Sequence, residues 1–494
     1  MTDTLTDYRA RVMGCWLGKA VGGTLGMPFE GQDGPLDVWF YTPVPTEMLP
    51  NDDLDLQVLW ACILDAQDPV RVDRHVLARA WRENCGFPWD EYGVAKRNLA
   101  EGIAPPLSGS FDNWFTRGMG AAIRSEVWAC LAPGDPALAA KYAYEDACVD
   151  HAGEGLWAEV FFAALQSAAF TLSDPDTLLD GAEAALPADS EVRRAVCDTR
   201  LWWRESRDWR AVREKVLERY GHENFTDIVM NVAFTVLGWL AGEGDFGRAI
   251  CIASNCGKDT DCTAATVGAL LGILDPACIP DNWLAPIGRD LVLSSEIVGI
   301  TAPKTLDGLT DLILSLRDRL NGRAPEAPDD APGLEPPPGL IVEAGFMDAL
   351  PHPGSPAPDM PPGHAPLSLP GTFASLPAGD FRGEVLLLRY TFTLDRPQDV
   401  RALFNTRTAC RVWVDGVYTF GREGGAMAPS LHRVPPGQAA NLSLTAGEHV
   451  LLAALRRPDG GRDVAEWVVA VGDARTNQWL PGVFRRPFGK APHD

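Results

Sequence analysis

The hydrophobic period of this chain changes once, near residue 323, and no single layer architecture accommodates both halves of the pattern. Before that point apolar residues recur at helical spacing. The stretches "DLQVLWACILDA" (55–66), "LWAEVFFAALQSAAFTL" (156–172), "VMNVAFTVLGWLAG" (229–242), "TAATVGALLGIL" (263–274) and "LTDLILSLRDRL" (309–320) all read as buried or amphipathic helices. Several are apolar nearly all round, as the inner helices of a large bundle are. After it the period becomes two, in "EVLLLRYTFTL" (384–394), "ACRVWVDGVYTF" (409–420), "ANLSLTAGEHVLLAALRR" (440–457) and "EWVVAVGD" (466–473). Turn signals stand at Asp415-Gly416 and Gly447-Glu448. Between the halves lies "NGRAPEAPDDAPGLEPPPG" (321–339), too rich in proline to hold a helix. A chain of 494 residues also exceeds what one core usually organises. The expectation is an all-α domain over 1–322, a Pro-rich linker over 323–340, and an all-β sandwich of about eight short strands over 341–494.

A net charge of −24 excludes several partners. So acidic a surface repels phosphate backbones, so neither nucleic acid nor an anionic membrane is an expected partner. No apolar run reaches the roughly 18 residues that a membrane helix needs. The 11 cysteines are odd in number, show no CxxC pair, and read as reduced, mostly buried thiols of a cytoplasmic protein. The opening "MTDTLTDYRARVMGCWLGKAVGG" lacks the apolar core of a signal peptide.

Two acidic clusters each lead straight into a strongly apolar helix: "NDDLD" (51–55) and "GKDTD" (257–261). Either alone reads as a helix N-terminus, where Asp is favoured by capping and by the dipole. Together they imply that Asp52, Asp53, Asp259 and Asp261 meet at the ends of central helices. They repel one another there unless a cation lies between them. Hard carboxylate oxygens suit Mg²⁺, with Mn²⁺ and Ca²⁺ as alternatives, and four of them suffice for one ion or two.

Five blocks carry a resemblance: "GCWLGKAVGGTLGMPFEG" (14–31), "NDDLD" (51–55), "TRGMGAAIRSEVWACLAPGDP" (116–136), "DACVDHAGEGLWAE" (146–159) and "GKDTDCTAATVGALLG" (257–272). In this order they resemble the ADP-ribosylglycohydrolase family over roughly residues 8–320. The resemblance implies an all-α orthogonal fold with a binuclear Mg²⁺ site. It also implies hydrolysis of the N- or O-glycosidic bond at the ribose C1″ of an ADP-ribosylated group. By the same resemblance Asp52, Asp53, Asp259 and Asp261 would hold the metal, and by residue type Asn51 offers it an amide oxygen and Thr263 or Thr260 a hydroxyl. Glu30, Asp53 and Asp261 would carry the catalysis, with Glu30 approaching the attacking water. Gly118, Met119 and Gly120 would form a glycine loop beside the diphosphate, and His151 matches a histidine near the family's site. Asn113 and Trp114, just before that loop, are read from residue type alone as lining the substrate. The C-terminal part resembles the jelly-roll accessory modules of glycoside-active enzymes, which bind sugar in some proteins and brace a site or a subunit contact in others.

The chain departs from the family pattern in four places. Asn51, Leu54 and Cys262 stand where hydroxyl ligands are usual, and "GGTLG" replaces an acidic variant of the first helix. A thiol is a poor ligand for a hard cation. These departures keep two other readings open: a hydrolase of small N-ribosides, and an inactive ADP-ribose-binding protein. His151 reads equally as a core histidine. Arg124 reads as a phosphate contact or as an ion pair with Glu126, and Glu154 as a partner of His151 or the cap of its own helix. Oligomeric state stays open, a homo-oligomer included.

Overall fold

The computed structural model describes residues 7–326, 336–459 and 463–484, so part of the linker expected over 323–340 lies outside the described residues. The chain divides into two compact units, Met1–Gly86 with Thr116–Asp330, and Phe87–Phe115 with Ala331–Asp494.

The first unit is helical, and its described residues contain no strand. All five helices read from periodicity are present: Asp52–Asp65, Glu154–Ala168, Ile228–Gly242, Thr260–Leu274 and Leu306–Leu320. The last is amphipathic and the others are buried on nearly every face. At the centre, the opening helix Tyr8–Gly26 lies antiparallel against Thr260–Leu274. Four glycines at intervals of four, Gly14, Gly18, Gly22 and Gly26, face Gly272, Gly268, Ala264 and Thr260 in that order. A Cβ at Gly18 would stand 2.0 Å from the Gly268 carbonyl oxygen, and one at Gly26 would stand 2.3 Å from that of Thr260. The two backbones therefore touch, which only glycine permits on the opening helix. This contact brings the C-terminus of one helix to the N-terminus of the other, where the second acidic cluster sits.

The second unit is a sandwich of ten strands among the described residues, against about eight expected. They are β1 (Leu340–Met347), β2 (Ala365–Leu369), β3 (Phe373–Pro377), β4 (Val385–Leu394), β5 (Gln398–Thr406), β6 (Cys410–Val414), β7 (Val417–Arg422), β8 (Ala439–Leu444), β9 (Gly447–Arg456) and β10 (Val464–Asp473). One sheet runs β2-β1-β4-β9-β6-β7 and the other β3-β10-β5-β8, antiparallel throughout. From β3 onward the chain crosses between sheets at nearly every connection, which is the jelly-roll order. Inward side chains of both sheets share one core, including Leu388, Phe404, Leu451, Leu455 and Trp467. Trp467 donates its indole N–H to the Tyr390 hydroxyl at 2.7 Å, joining the two sheets. The β6–β7 turn uses left-handed Asp415 and Gly416 (φ 49° and 80°), as the Asp-Gly signal requires.

Both outer faces are covered as well. Val385, Leu387 and Trp413 pack under Leu350, Ala357 and Met360, from the proline-rich stretch that follows β1. That cover explains why "VLLL" is buried on both sides of its strand. Over the other sheet, Val94 and Phe115 pack with Leu403 and Val468. Residues 87–115, expected with the helical domain, are thus tied to the strands instead. Asp112 fixes the segment by accepting from the Thr372 and Phe373 amides at 2.9 and 2.7 Å. Arg97 reaches the Thr372 hydroxyl at 3.1 Å.

Candidate metal centre

The opening helix ends in a short turn, Met27–Phe29, after which Glu30 is exposed. Two backbone bonds hold the following residues to the second acidic loop: Gly31 N–H to the Lys258 carbonyl at 2.9 Å, and Lys258 N–H to the Gln32 carbonyl at 2.6 Å. Gly257 and Lys258 both take left-handed backbone (φ 76° and 71°) to reverse the chain there. A Cβ on Gly257 would collide with the Asp33 carbonyl at 2.5 Å, so the loop requires glycine at that position. Asp259 then precedes the helix that carries Asp261 in its first turn.

Glu30, Asp259 and Asp261 each offer an oxygen within 4.8 Å of the others, and Asp53, Asp261 and Cys262 offer a second such group. Asp261 belongs to both. The sequence reading that the two acidic motifs meet is therefore a feature of the fold. Asp259 and Asp261 are 2% and 5% exposed. No ion pair reaches either among the described residues, and the Asp261 Oδ1 atom has no hydrogen-bond partner there. Burial, then the Glu30 and Asp53 charges, push the Asp261 carboxyl up to about 8. Burial and the Asp261 charge push Asp259 well up, and burial with Asp53 and Asp261 does the same to Asp52. Clustered buried carboxylates of this kind are stable as anions only when a cation neutralises them. An orphaned carboxylate oxygen among oxygen donors fits a hard divalent ion, and the fit is best at Glu30, Asp259 and Asp261.

The Asp53 side is different. Its carboxylate lies 3.1 Å from the ammonium of Lys19, and both side chains are buried. Lys19 also lies 3.2 Å from Glu126. Glu126 in turn accepts from Gln57 at 2.9 Å and Gln166 at 3.1 Å. The Cys262 thiol donates to the Asp53 Oδ2 atom at 3.5 Å. Neither Lys19 nor Glu126 figures among the residues singled out from sequence for this site.

Asn51 does not turn its amide oxygen to the cluster. That oxygen caps its helix by accepting from the Asp53 N–H at 2.7 Å, and the amide NH₂ donates to Asp261 at 3.2 Å. The Thr263 hydroxyl donates to the Thr260 carbonyl at 3.2 Å, and that of Thr260 to the Gly26 carbonyl at 2.8 Å. The Thr260 hydroxyl serves the contact between the two helices, and that of Thr263 bonds within its own helix. Asn113 and Trp114 fall in the unit with the strands. The Asn113 amide closes its own turn, to the Gly109 carbonyl at 2.8 Å and from the Phe115 N–H at 2.8 Å.

Gly118, Met119 and Gly120 lie in the helical unit, above a second buried network. Arg124 is fully buried and donates to the Gly120 carbonyl at 2.7 Å. It meets Asp150 with two bonds of 3.0 and 2.7 Å and Asp146 with one of 2.9 Å. The indoles of Trp60 and Trp128 also donate to Asp146. His151 is buried with its Nδ1 atom 3.0 Å from Asp150. Burial would raise the Asp150 carboxyl, but the Arg124 and His151 charges outweigh it and hold it below its ordinary range. Arg124 therefore pairs neither with phosphate nor with Glu126. Glu154 caps a different helix from its own: its carboxylate accepts from the Glu191 and Val192 amides at 2.9 Å each and from the Ser190 hydroxyl at 2.8 Å.

Comparison with known proteins agrees with the helical half. A family model described as ADP-ribosylglycohydrolase matches residues 4–321, a span that includes every acidic residue of the centre. Among solved structures, an "ADP-ribosylglycohydrolase-related protein complex" is 20% identical, covers 64% of this chain and 99% of that chain, and has a TM-score of 0.44. A β-glucosidase from Kluyveromyces marxianus in complex with glucose is 13% identical over 28% of this chain and 16% of that chain, with a TM-score of 0.19. No curated protein matches. None of the eleven cysteines is in a disulfide, and no described helix is long and apolar enough to cross a membrane.

Proposed function

The chain belongs to the ADP-ribosylglycohydrolase family, and on that premise we propose that it is a divalent-metal-dependent hydrolase of the glycosidic bond at ribose C1 of an ADP-ribosylated substrate. The observation that carries this reading is the meeting of Glu30, Asp259 and Asp261, with no cationic side chain on either aspartate among the described residues. Asp259 and Asp261 would hold the ion, with Glu30 at its open edge. A bound Mg²⁺ or Mn²⁺ supplies Lewis-acid polarisation and a more acidic water. Glu30, being exposed, is the group that takes the water's proton as the bond to C1 loosens through an oxocarbenium-like state. Asp261, shared by both groups of ligands, fixes the distance between the ion and the Asp53 side. The Gly118–Gly120 turn, steadied by Arg124, offers backbone N–H groups to a diphosphate. His151 is sealed in the network below and acts by orienting that turn.

The test is a calorimetric titration of ADP-ribose into the protein in Mg²⁺, repeated after EDTA, followed by assay of ADP-ribosylated protein against small N-ribosides. Binding that needs Mg²⁺, with release of ADP-ribose from the protein substrate, is the expected result. Turnover confined to small ribosides would move the substrate to that class, a reading favoured by the thiol of Cys262 at a ligand position. ADP-ribose binding without turnover of either class would leave a sensor.

A further inference from the structure

Asp53 has the sequence position of a metal ligand, yet its surroundings are those of an ion pair. The Lys19 ammonium stands 3.1 Å from one carboxylate oxygen, and the Cys262 thiol donates to the other at 3.5 Å. Lys19 is 1% exposed, so it has no route to solvent. It is held from behind by Glu126 at 3.2 Å, which is itself fixed by Gln57 and Gln166. A buried ammonium needs such partners, because desolvation opposes it and only close carboxylates offset that cost. The opening helix cannot slide to withdraw it, since Gly18, the preceding residue, is in backbone contact with Gly268. A positive charge fixed this close to Asp53 repels a dication at the same carboxylate. The sulfur of Cys262 is also the wrong donor for a hard ion. The Asp53 Oδ1 and Asp261 Oδ1 atoms both lack a hydrogen-bond partner among the described residues, but only the first has an ammonium beside it, and no ion pair reaches Asp261 there.

We propose that this chain binds a single divalent cation, at Glu30, Asp259 and Asp261, and that the ammonium of Lys19 occupies the charge position of a second ion at Asp53. The inference rests on the metal-dependent reading above and narrows it. Asp53 is then a positioning residue. Its carboxylate is held by Lys19 and Cys262, so it does not take a proton from water, and that role falls to Glu30. Lys19 acts through Asp53 and Asp261 and touches neither substrate nor the reacting atoms.

The experiment is a metal count. Chelated protein is equilibrated with Mn²⁺, freed of excess ion by gel filtration, and analysed for manganese per chain and by electron paramagnetic resonance. One ion per chain is expected, with the resolved hyperfine pattern of an isolated Mn²⁺. Lys19→Met is expected to take up a second ion and to give the broadened spectrum of a coupled pair, while Lys19→Arg stays at one. Should Lys19→Met fail to fold, Lys19→Gln keeps a donor between Asp53 and Glu126 without the charge, and the same rise to two is expected. Two ions in the unmodified protein overturn the inference and leave the metal-dependent reading standing. An unchanged count of one in both neutral variants overturns it too. No bound manganese at all overturns the metal-dependent reading, and this inference with it.

Discussion

Two groups of buried acids lie within the helical unit, and they differ in who supplies the positive charge. Asp146 and Asp150 surround Arg124, which answers them with three short bonds and stacks over Trp81 at 5.2 Å. Asp259 and Asp261 have no such residue among the described ones, and burial drives their carboxyls upward. The first group carries its own counter-charge in Arg124 and serves as scaffold, although the Asp146 Oδ1 atom and both Glu159 oxygens in it have no hydrogen-bond partner among the described residues. The second is incomplete without something from outside. Burial and acidity alone do not mark a site, since both groups share them. What separates the two is whether the chain carries the counter-charge.

That contrast breaks first at Arg124. Arg124→Met leaves the buried acids unanswered and should cost about 3–5 kcal/mol of stability, read from urea unfolding. A loss within error would mean that these acids are already neutral and that the contrast is false. Asp261→Asn should act in the opposite direction. Activity should fall on the order of 10²–10³-fold, as when a charge-stabilising group is removed. The metal-free protein should gain about 1–3 kcal/mol, because the desolvated charge of a carboxylate that Glu30 and Asp53 repel has gone. Full activity with full metal content would remove Asp261 from the centre.

EDTA sharpens the comparison further. Stripping an ion held at a hundred times its dissociation constant should remove about 2.7 kcal/mol. That loss should be absent in Asp261→Asn and retained in any Arg124 variant that folds. The smallest effect is expected at Glu159, which is fully buried in the scaffold group and whose carboxyl is pushed well up by burial and by Asp146. A raised acid favours the fold below its ordinary value of 4.5 and loses that contribution as pH climbs through the raised value. Unfolding midpoints measured above pH 4.5 should therefore decline with pH, and Glu159→Gln should flatten the decline while changing stability little near pH 5. An identical slope in the variant would assign it to another group.

The large divisions of the fold were readable because periodicity reports burial directly. The inner helices and the strands at 385–394 and 464–473 lie within a few residues of where the pattern puts them. What escaped depends on contacts across long separations. β5 is buried on consecutive residues from Ala402 to Thr406, so it shows no alternation, and the cover that buries it comes partly from Phe87–Phe115. No local signal says which side of a domain boundary that segment joins. At the site, the four aspartates were legible as acidic helix starts. Lys19 was not, because a lysine at a helix position reads as an exposed charge until Glu126, 107 residues away, is seen beside it. The four-residue spacing of glycines around it was the available clue, since a lysine on a helix that packs so closely has little access to water. Asn51 and Thr263 were placed by residue type alone, and type does not say which way an amide faces or which carbonyl a hydroxyl meets.

The glycine contact also sets an order of events during synthesis. Asp52 and Asp53 leave the ribosome early, but the helix against which Gly14 to Gly26 must lie ends only at Leu274. Until that helix has emerged, the opening helix has no partner for its bare backbone face, and two of the three carboxylates of the centre, Asp259 and Asp261, do not yet exist. The metal centre is therefore among the last parts of the helical unit to form, and a nascent or truncated chain that stops short of residue 274 carries acids, but no centre.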